Sequence, residues 1–247
     1  MIRVTENLRK IRDLLDKAAV DAGRRPEDVH LLAVSKKQPL DRIIEAVAAG
    51  QRNFGENTVQ EGTEKVTKLA EKRLAEAWPG DLCWHFIGHL QSNKTRIVAE
   101  HFDWVHTIDK LKTATRLSEQ RPDSLGKLDV CIQVNIDGEA AKAGVAPSDV
   151  IDLAHEVAAL PRLRLRGLMC LPAVRESFDE QRVPFAQLRE HAQTLRQQGI
   201  EIDTLSMGMT DDYRAAIFEG ATIVRIGTAV FGPRESAIPD KQTGKGP

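Results

Sequence analysis

Apolar and polar positions follow two different periods along the chain. Apolar residues recur every three or four positions from Val4 to Ala18, which predicts an amphipathic helix. The short apolar run LLAVSK (31–36) follows it and is typical of a parallel strand buried on both faces. The segment LDRIIEAVAAG (40–50) then returns to helical spacing and stops at Gly50, a residue type that commonly ends helices.

This alternation of strand and helix continues to residue 232. Seven further runs have the character of strands, and all but the last precede a helical pattern: 52–57, 84–89, 104–109, 130–136, 166–172, 204–209 and 223–232. Eight strand–helix units in about 250 residues predict a single (β/α)8 TIM barrel over residues 1–232, with an extra N-terminal helix. A doubly wound open sheet is the alternative, although that fold usually needs fewer strands. Residues 233–247 (PRESAIPDKQTGKGP) have almost no apolar content and predict a loose C-terminal tail.

The composition excludes several classes of function. Hydrophobic residues make up 41% of the chain and charged residues 29%, an ordinary globular balance. The formal net charge of -1 shows no basic excess that would favour nucleic acid. No run approaches the length of a membrane span, and the charged N-terminus does not resemble a secretory signal. Three widely spaced cysteines without a CxxC pair indicate reduced thiols, and we therefore expect a cytoplasmic protein.

The candidate chemistry lies where the strands end, because TIM barrels carry their active sites at the carboxyl ends of the strands. The first strand ends at Lys36 and the second at Asn57. The seventh and eighth end in SMGMT (206–210) and RIGT (225–228), and barrels frequently bind phosphate in the loops after these two strands. Glycine and hydroxyl groups suit such a cradle, whose predicted members are Ser206, Gly208, Thr210, Gly227 and Thr228. The alternative is that the two glycines only form tight turns.

Alternation along the eighth strand places Arg225 on the same face as Gly227, which we take to be the barrel interior. An interior guanidinium contacts a ligand or is paired, here by a salt bridge to Glu56 or Asp109. The first and eighth strands adjoin in a closed barrel, so Lys36 is expected to face the phosphate cradle. A partly buried lysine can attack an aldehyde. Pyridoxal 5′-phosphate held as a Schiff base fits this arrangement, and a phosphosugar in an aldolase or lyase fits almost as well.

Six motifs together resemble the YggS/PROSC family of pyridoxal phosphate homeostasis proteins. They are LLAVSK, FGEN, WHFIGHLQSNK, VNIDGEAAKAGV, GLM and SMGMTDDYRAAI with RIGTAVFG, and they span residues 30–232 in family order. The resemblance implies a barrel of the alanine racemase N-terminal type that carries pyridoxal 5′-phosphate. It implies that Lys36 is the Schiff-base lysine and Lys37 its solvent-facing neighbour.

The resemblance also assigns the remaining cofactor contacts. It implies that the loops at 206–210 and 227–228 hold the phosphate, that Arg225 lies near the pyridine nitrogen, and that Asn57 lies beside the cofactor. The chain departs from the family pattern in three places: SKKQP where SKTKP is common, Thr58 where a tyrosine is common, and Thr210 where a serine is common. The first two put the role of an accessory lysine or tyrosine in doubt, and none affects the Schiff base.

Three function classes remain open: a carrier, an amino-acid racemase, and a Schiff-base lyase or aldolase that acts on a phosphosugar. A racemase needs a base on each face of the substrate, and racemases of this type take the second from a tyrosine in a separate β domain, which we do not expect here. Tyr213 and Cys170 are the candidates for a second base, and both suit structural roles better. We therefore expect a monomeric cofactor carrier without robust catalysis, which delivers pyridoxal phosphate to apo-enzymes that depend on it.

Two further candidate sites have less support from the sequence: a metal site and a second cofactor site. His85 and His89 would share one face of a strand, but no third ligand completes a metal site, so no metal is expected. His85 is instead expected near the cofactor pocket. Lys37 and Lys94 are the candidates for a second cofactor molecule.

Overall fold

Eight parallel strands close into a barrel in the computed structural model, which describes residues 3–76, 80–139 and 142–233. The strands are β1 His30–Val34, β2 Asn53–Glu56, β3 Cys83–Phe86, β4 Trp104–Ile108, β5 Leu128–Val134, β6 Leu163–Cys170, β7 Thr204–Ser206 and β8 Ile223–Ile226. Each strand pairs with the next, and β8 pairs with β1. The TIM barrel prediction is confirmed, and the open-sheet alternative is wrong. The predicted tail lies outside the described residues from residue 234 onwards.

Helices surround the barrel and follow the strands in sequence. They are α1 Val4–Asp21, α2 Leu40–Ala48, α3 Val59–Glu76, α4 Thr95–His101, α5 Leu111–Gln120, α6 Val150–Ala158, α7 Phe178–Gln197, α8 Tyr213–Phe218 and α9 Thr228–Phe231. The stripe predicted from Val4 to Ala18 is the buried face of α1. A capping box, in which Ser177 and Glu180 bond each other's backbone N–H groups, starts α7.

Several strand ends differ from the sequence prediction, and β7, for example, ends at Ser206 rather than at residue 209. The run predicted as a strand from 223 to 232 ends at Ile226, and residues 228–231 form a helical turn instead. A Cβ atom on Gly227 would lie 3.1 Å from the carbonyl oxygen of Val34, so the chain passes close to β1 as it turns into α9. The third strand ends at Phe86 rather than at residue 89, and β6 begins at Leu163 rather than at residue 166.

The barrel has an outer and an inner core. Most buried apolar side chains lie between strands and helices, where each contributes about 1.5–3 kcal/mol. A small second cluster inside the barrel contains Leu32, Trp104, Cys131, Met169 and Ile223. Polar side chains share this interior, as described below. Among the described helices, none combines the length and apolar character needed to cross a membrane.

The close approach of β6 and β7 generates a stability prediction. A Cβ atom on Gly167 would lie 1.8 Å from the carbonyl oxygen of Thr204 on the paired strand. The substitution Gly167→Ala should therefore lower the free energy of unfolding by more than about 3 kcal/mol, because the strands must separate. Gly138→Ala is the control: its φ is 68° but its Cβ would meet nothing within 4 Å, so a loss of about 1–2 kcal/mol is expected. Equal losses in urea unfolding would contradict this account.

Candidate functional site

Lys36 lies in a tight turn immediately after β1. The N–H group of Gln38 donates to the carbonyl oxygen of Ser35 at 3.0 Å and closes the turn. Lys36 is half-buried, whereas Lys37 is exposed and has a φ of 57°. Lys37 therefore faces solvent as expected, but the cause is the turn geometry and not the alternation of a strand.

A buried ionic network anchors this turn to β2 and α3. The Ser35 hydroxyl donates to Glu56 Oε1 at 2.6 Å, and Lys65 Nζ donates to the Ser35 carbonyl at 2.7 Å. Lys65 also pairs with Glu56 at 2.9 Å and with Glu61 at 2.7 Å. The backbone N–H of Lys37 donates to Glu61 Oε1 at 2.6 Å. The network thus fixes the residues on both sides of Lys36.

Glu56 is the charged centre of this network. It is fully buried, and burial raises the pKa of its carboxyl, an effect that Lys65 and the Ser35 hydroxyl oppose. Within the described residues, Glu56 Oε2 has no hydrogen-bond partner. The sequence analysis named Glu56 as a possible partner of Arg225, whereas in the structure its side chain pairs with Lys65 of α3 and supports the Lys36 turn.

The two loops predicted to bind phosphate lie beside this turn. Strand β8 runs alongside β1, and the N–H of Arg225 donates to the carbonyl oxygen of Gly208 at 3.0 Å. Gly208 has a φ of 92°, and a Cβ there would lie 2.6 Å from the Cβ of Ala216. The glycines are therefore required for turning and packing, whatever else they bind. Thr210 and Thr228 are both exposed at this end of the barrel.

The two loops differ in the backbone N–H groups that they can offer to an anion. Helix α9 begins at Thr228. The N–H groups of Val230 and Phe231 both donate to the Gly227 carbonyl oxygen at 2.9 Å, which leaves the N–H groups of Thr228 and Ala229 as the ones suited to an anion. In the other loop, the N–H of Met209 donates to Asp212 Oδ1 at 2.5 Å and is therefore occupied. Burial raises the pKa of Asp212, while this hydrogen bond opposes the shift.

Arg225 lies inside the barrel, as predicted, and is 4% exposed. Its Nη1 donates to Ser206 Oγ at 2.8 Å and its Nη2 to the carbonyl oxygen of Cys170 at 2.9 Å. Burial lowers the pKa of the guanidinium. The alternative of a salt bridge to Glu56 or Asp109 is wrong, because the acceptors that Arg225 bonds within the described residues are neutral. Ser206 is fully buried and contacts Arg225.

A pair of interior histidines continues from Ser206. His106 Nδ1 lies 2.8 Å from Ser206 Oγ, and His106 Nε2 lies 2.9 Å from His85 Nδ1. Burial lowers the pKa of His85 to about 3 and that of His106 well below its ordinary value. The sequence analysis missed His106. Alternation along WVHTI could have found it, because Trp104 and His106 share the interior face.

The other candidates are spread around the site. His89 is exposed in a loop, so the expectation that it shares a strand face with His85 is wrong. Asn57 lines a groove of about 870 Å³ beside α3 and α4, together with His89 and Lys94. In the part of the chain that the structure describes, no three His, Cys, Asp or Glu side chains cluster as metal ligands would.

The two candidates for a second base have structural surroundings. Cys170 is fully buried, and burial raises the pKa of its thiol to about 12. A thiol with that pKa stays protonated at neutral pH and cannot accept a proton. Tyr213 is the first residue of α8 and packs against the outer core.

The chain matches a family model and curated relatives over nearly its whole length. The family model "Alanine racemase, N-terminal domain" matches residues 3–235. The pyridoxal phosphate homeostasis protein of Vibrio cholerae is 52% identical, with 95% of this chain and 98% of that protein covered. The Escherichia coli K12 protein of the same name is 50% identical, with 94% and 97% covered. This chain belongs to the family of pyridoxal phosphate homeostasis proteins, as the motifs predicted.

Solved structures place the family within a wider fold group. PipY of Synechococcus elongatus PCC7942, solved with pyridoxal phosphate bound, is 37% identical, with a TM-score of 0.77 over 93% of this chain and 100% of that one. An alanine racemase from Clostridium difficile is 15% identical, with a TM-score of 0.71 over 95% of this chain and 58% of the racemase. The racemase likeness concerns the fold alone.

The buried ionic network that anchors the Lys36 turn predicts an effect on stability. Lys65→Met leaves the buried Glu56 carboxylate without its cation and should lower the free energy of unfolding by about 3–5 kcal/mol at pH 8. The loss should shrink toward pH 5, because Glu56 can then take up a proton. The control Lys68→Met removes an exposed lysine of the same helix and should change stability by less than about 0.5 kcal/mol. Similar losses for both variants in urea titrations would contradict the role assigned to Lys65.

The buried histidines generate a prediction about pH. Unfolded histidines bind a proton near pH 6.5, whereas native His85 and His106 do not, so the unfolded state binds more protons below that pH. The free energy of unfolding should therefore fall as the pH drops from 6.5 to 5, at a limiting slope of about 1.4 kcal/mol per pH unit for each histidine.

Two variants separate this effect from other titrations. His85→Asn should reduce the slope by about one histidine's share. His89→Asn, which removes an exposed histidine, should leave the slope unchanged. A slope that His85→Asn does not alter would show that this histidine titrates normally in the native protein.

Proposed function

We propose that this protein binds pyridoxal 5′-phosphate covalently at Lys36 and acts in the homeostasis of that cofactor. The observation that carries the proposal is the meeting of three features at one end of the barrel. These are the anchored Lys36 turn, the loops after β7 and β8, and the buried Arg225. The relatives bear the name of this function, and PipY binds the cofactor in its crystal structure.

The residues present fit the chemical groups of the cofactor. Lys36 supplies an amine, and Thr210 and Thr228 supply exposed hydroxyls, with Thr228 at the start of α9. Arg225 supplies a buried guanidinium whose hydrogen-bond acceptors within the described residues are neutral; burial lowers its pKa, and the charges of neighbouring groups, Asp212 among them, oppose that shift. We assign phosphate binding to Gly208, Thr210, Gly227 and Thr228, and the ring nitrogen to Arg225. We place Asn57 at the outer edge of the site, on the α3–α4 groove.

Lys36 and Arg225 have different tasks toward the cofactor. When bound, the cofactor supplies an aldehyde that condenses with amines and a ring that withdraws electrons. The Lys36 amine would hold the cofactor through a bond to its aldehyde carbon, and the aldehyde oxygen would leave as water. A guanidinium beside the ring nitrogen does not protonate it, so Arg225 weakens the ring as an electron sink. The site therefore favours holding the cofactor over transforming amino acids.

The surroundings of Cys170 and Tyr213 support a carrier over a racemase. Racemisation needs proton transfer on both faces of the substrate, and the Cys170 thiol stays protonated. We propose that the protein, as a monomer in the cytoplasm, limits the free aldehyde and passes it to apo-enzymes. The three free thiols support a reducing compartment.

The visible absorption of the protein tests the covalent attachment. The wild-type protein mixed with pyridoxal phosphate should show a Schiff-base band that borohydride abolishes. Lys36→Ala should lose that band. The control Lys37→Asn removes the neighbouring amine and suits the positive φ at that position, so it should keep the band.

Three outcomes would contradict the proposal. A colourless wild-type mixture would exclude the cofactor and favour a phosphosugar at Lys36. A band that persists in Lys36→Ala would place the attachment on another lysine. Interconversion of amino-acid enantiomers by the loaded wild-type protein, absent in Lys36→Ala, would assign a racemase.

A further inference from the structure

A single run of hydrogen bonds crosses the barrel interior and ends on Arg225. From Asn53 Oδ1 it passes to His85 Nε2 at 3.1 Å and on to His106 at 2.9 Å. From His106 Nδ1 it passes to Ser206 Oγ and then to Arg225 Nη1, each step 2.8 Å long. The five residues come from five different strands: β2, β3, β4, β7 and β8. The far end, at Asn53 and His85, lines a cavity of about 530 Å³ at the amino-terminal mouth of the barrel.

The Arg225 end fixes the direction of these hydrogen bonds. A guanidinium only donates, so Ser206 Oγ must accept from Arg225 Nη1. The only other partner of this hydroxyl within the described residues is His106 Nδ1. If Nδ1 carried a proton, the hydroxyl would accept twice and its own proton would be buried without an acceptor. Ser206 therefore donates to an unprotonated Nδ1 of His106, whose remaining proton lies on Nε2.

The groups at the Asn53 end fit the same direction. With His106 Nε2 donating to His85 Nδ1, the proton of His85 lies on Nε2 and faces Asn53 Oδ1, which is an acceptor. The opposite direction would set an unprotonated Nε2 against that oxygen. Cys83 Sγ, at 3.3 Å from the same nitrogen, is a weak second acceptor. The Arg225 end thus selects neutral histidines with the proton on Nε2, and Asn53 Oδ1 is an acceptor suited to that order.

Burial keeps both histidines neutral and so preserves this order. The pKa of His85 is lowered to about 3 by burial. The pKa of His106 is lowered by burial first, then by His85 and by the Arg225 charge. A neutral His106 has one acceptor nitrogen, and Ser206 occupies it.

We propose that His106 is a positioning residue for Arg225. His106 Nδ1 accepts a hydrogen bond from the Ser206 hydroxyl, and the oxygen of that hydroxyl accepts one from Arg225 Nη1 and so orients the guanidinium. In the part that concerns the cofactor, this inference rests on the proposed function. Ser206 then orients Arg225 and does not donate to the phosphate, since its single proton is committed to His106. This separates Ser206 from the phosphate-binding set predicted from the sequence.

The ring nitrogen that carries the proton in His85 and in His106 can be determined without the cofactor. Nitrogen-15 NMR of the full-length protein without added pyridoxal phosphate distinguishes protonated from unprotonated ring nitrogens. His106 and His85, assigned by their loss in His106→Asn and His85→Asn, should both be protonated on Nε2 and not on Nδ1. A proton on Nδ1 of either residue would overturn the proposed order.

A matched pair of variants tests the effect on Arg225. Asparagine offers an oxygen acceptor near the position of Nδ1, and leucine has nearly the same shape without any acceptor. His106→Leu should raise the release rate of bound pyridoxal phosphate about tenfold, the loss expected for one hydrogen bond to a charged group. His106→Asn should restore the rate to within about threefold of wild type. A purely structural role would show equal rates in both variants, and equal rates overturn the proposal.

A third variant provides the same test if His106→Leu does not fold. Ser206→Ala removes the same oxygen from Arg225 and should speed release by a similar factor, whereas an unchanged rate would contradict the proposal. The two proposals also fail differently. If wild type binds no pyridoxal phosphate, the proposed function fails, while the nitrogen-15 spectra still decide the order of protons.

Discussion

The pairing of β8 with β1 is the constraint on which the site depends. It joins the two ends of the barrel sequence, with His30 opposite Ile223 and Ala33 opposite Ile226. The Lys36 turn and Gly227 become neighbours only through this closure, because Gly227 approaches the Val34 carbonyl as the chain leaves β8. An open sheet of the same elements would leave the lysine and the phosphate loops on opposite edges.

Closure also creates an interior that is only partly apolar. Buried polar groups are costly unless they are hydrogen-bonded, and the two histidines, Ser206 and Arg225 satisfy one another. Arg225 remains charged, with neutral acceptors, close to the loops assigned to the phosphate. An anionic ligand is therefore favoured at this end of the barrel, and the interior arrangement and the proposed function support each other.

Much of this could be predicted from the sequence because local patterns carry it. Strand and helix periods predicted all eight strands, and the barrel rule located Lys36, Gly208 and Arg225 at one end. Lys65 could not be predicted, because a lysine within an amphipathic helix indicates a solvated face. Its burial follows from Glu56 and Ser35, which come from other elements. The end of β8 was misplaced because TAVF has the composition of a strand, while the close passage of Gly227 along β1 is a tertiary contact.

Mass spectrometry of the borohydride-reduced protein tests the central claim most directly. The wild-type protein is loaded with pyridoxal phosphate, reduced, digested and mapped for the lysine that carries the pyridoxyl label. The account predicts one dominant label, on the peptide that contains Lys36. A dominant label on Lys37, Lys94 or any other lysine, with Lys36 unmodified, would contradict it.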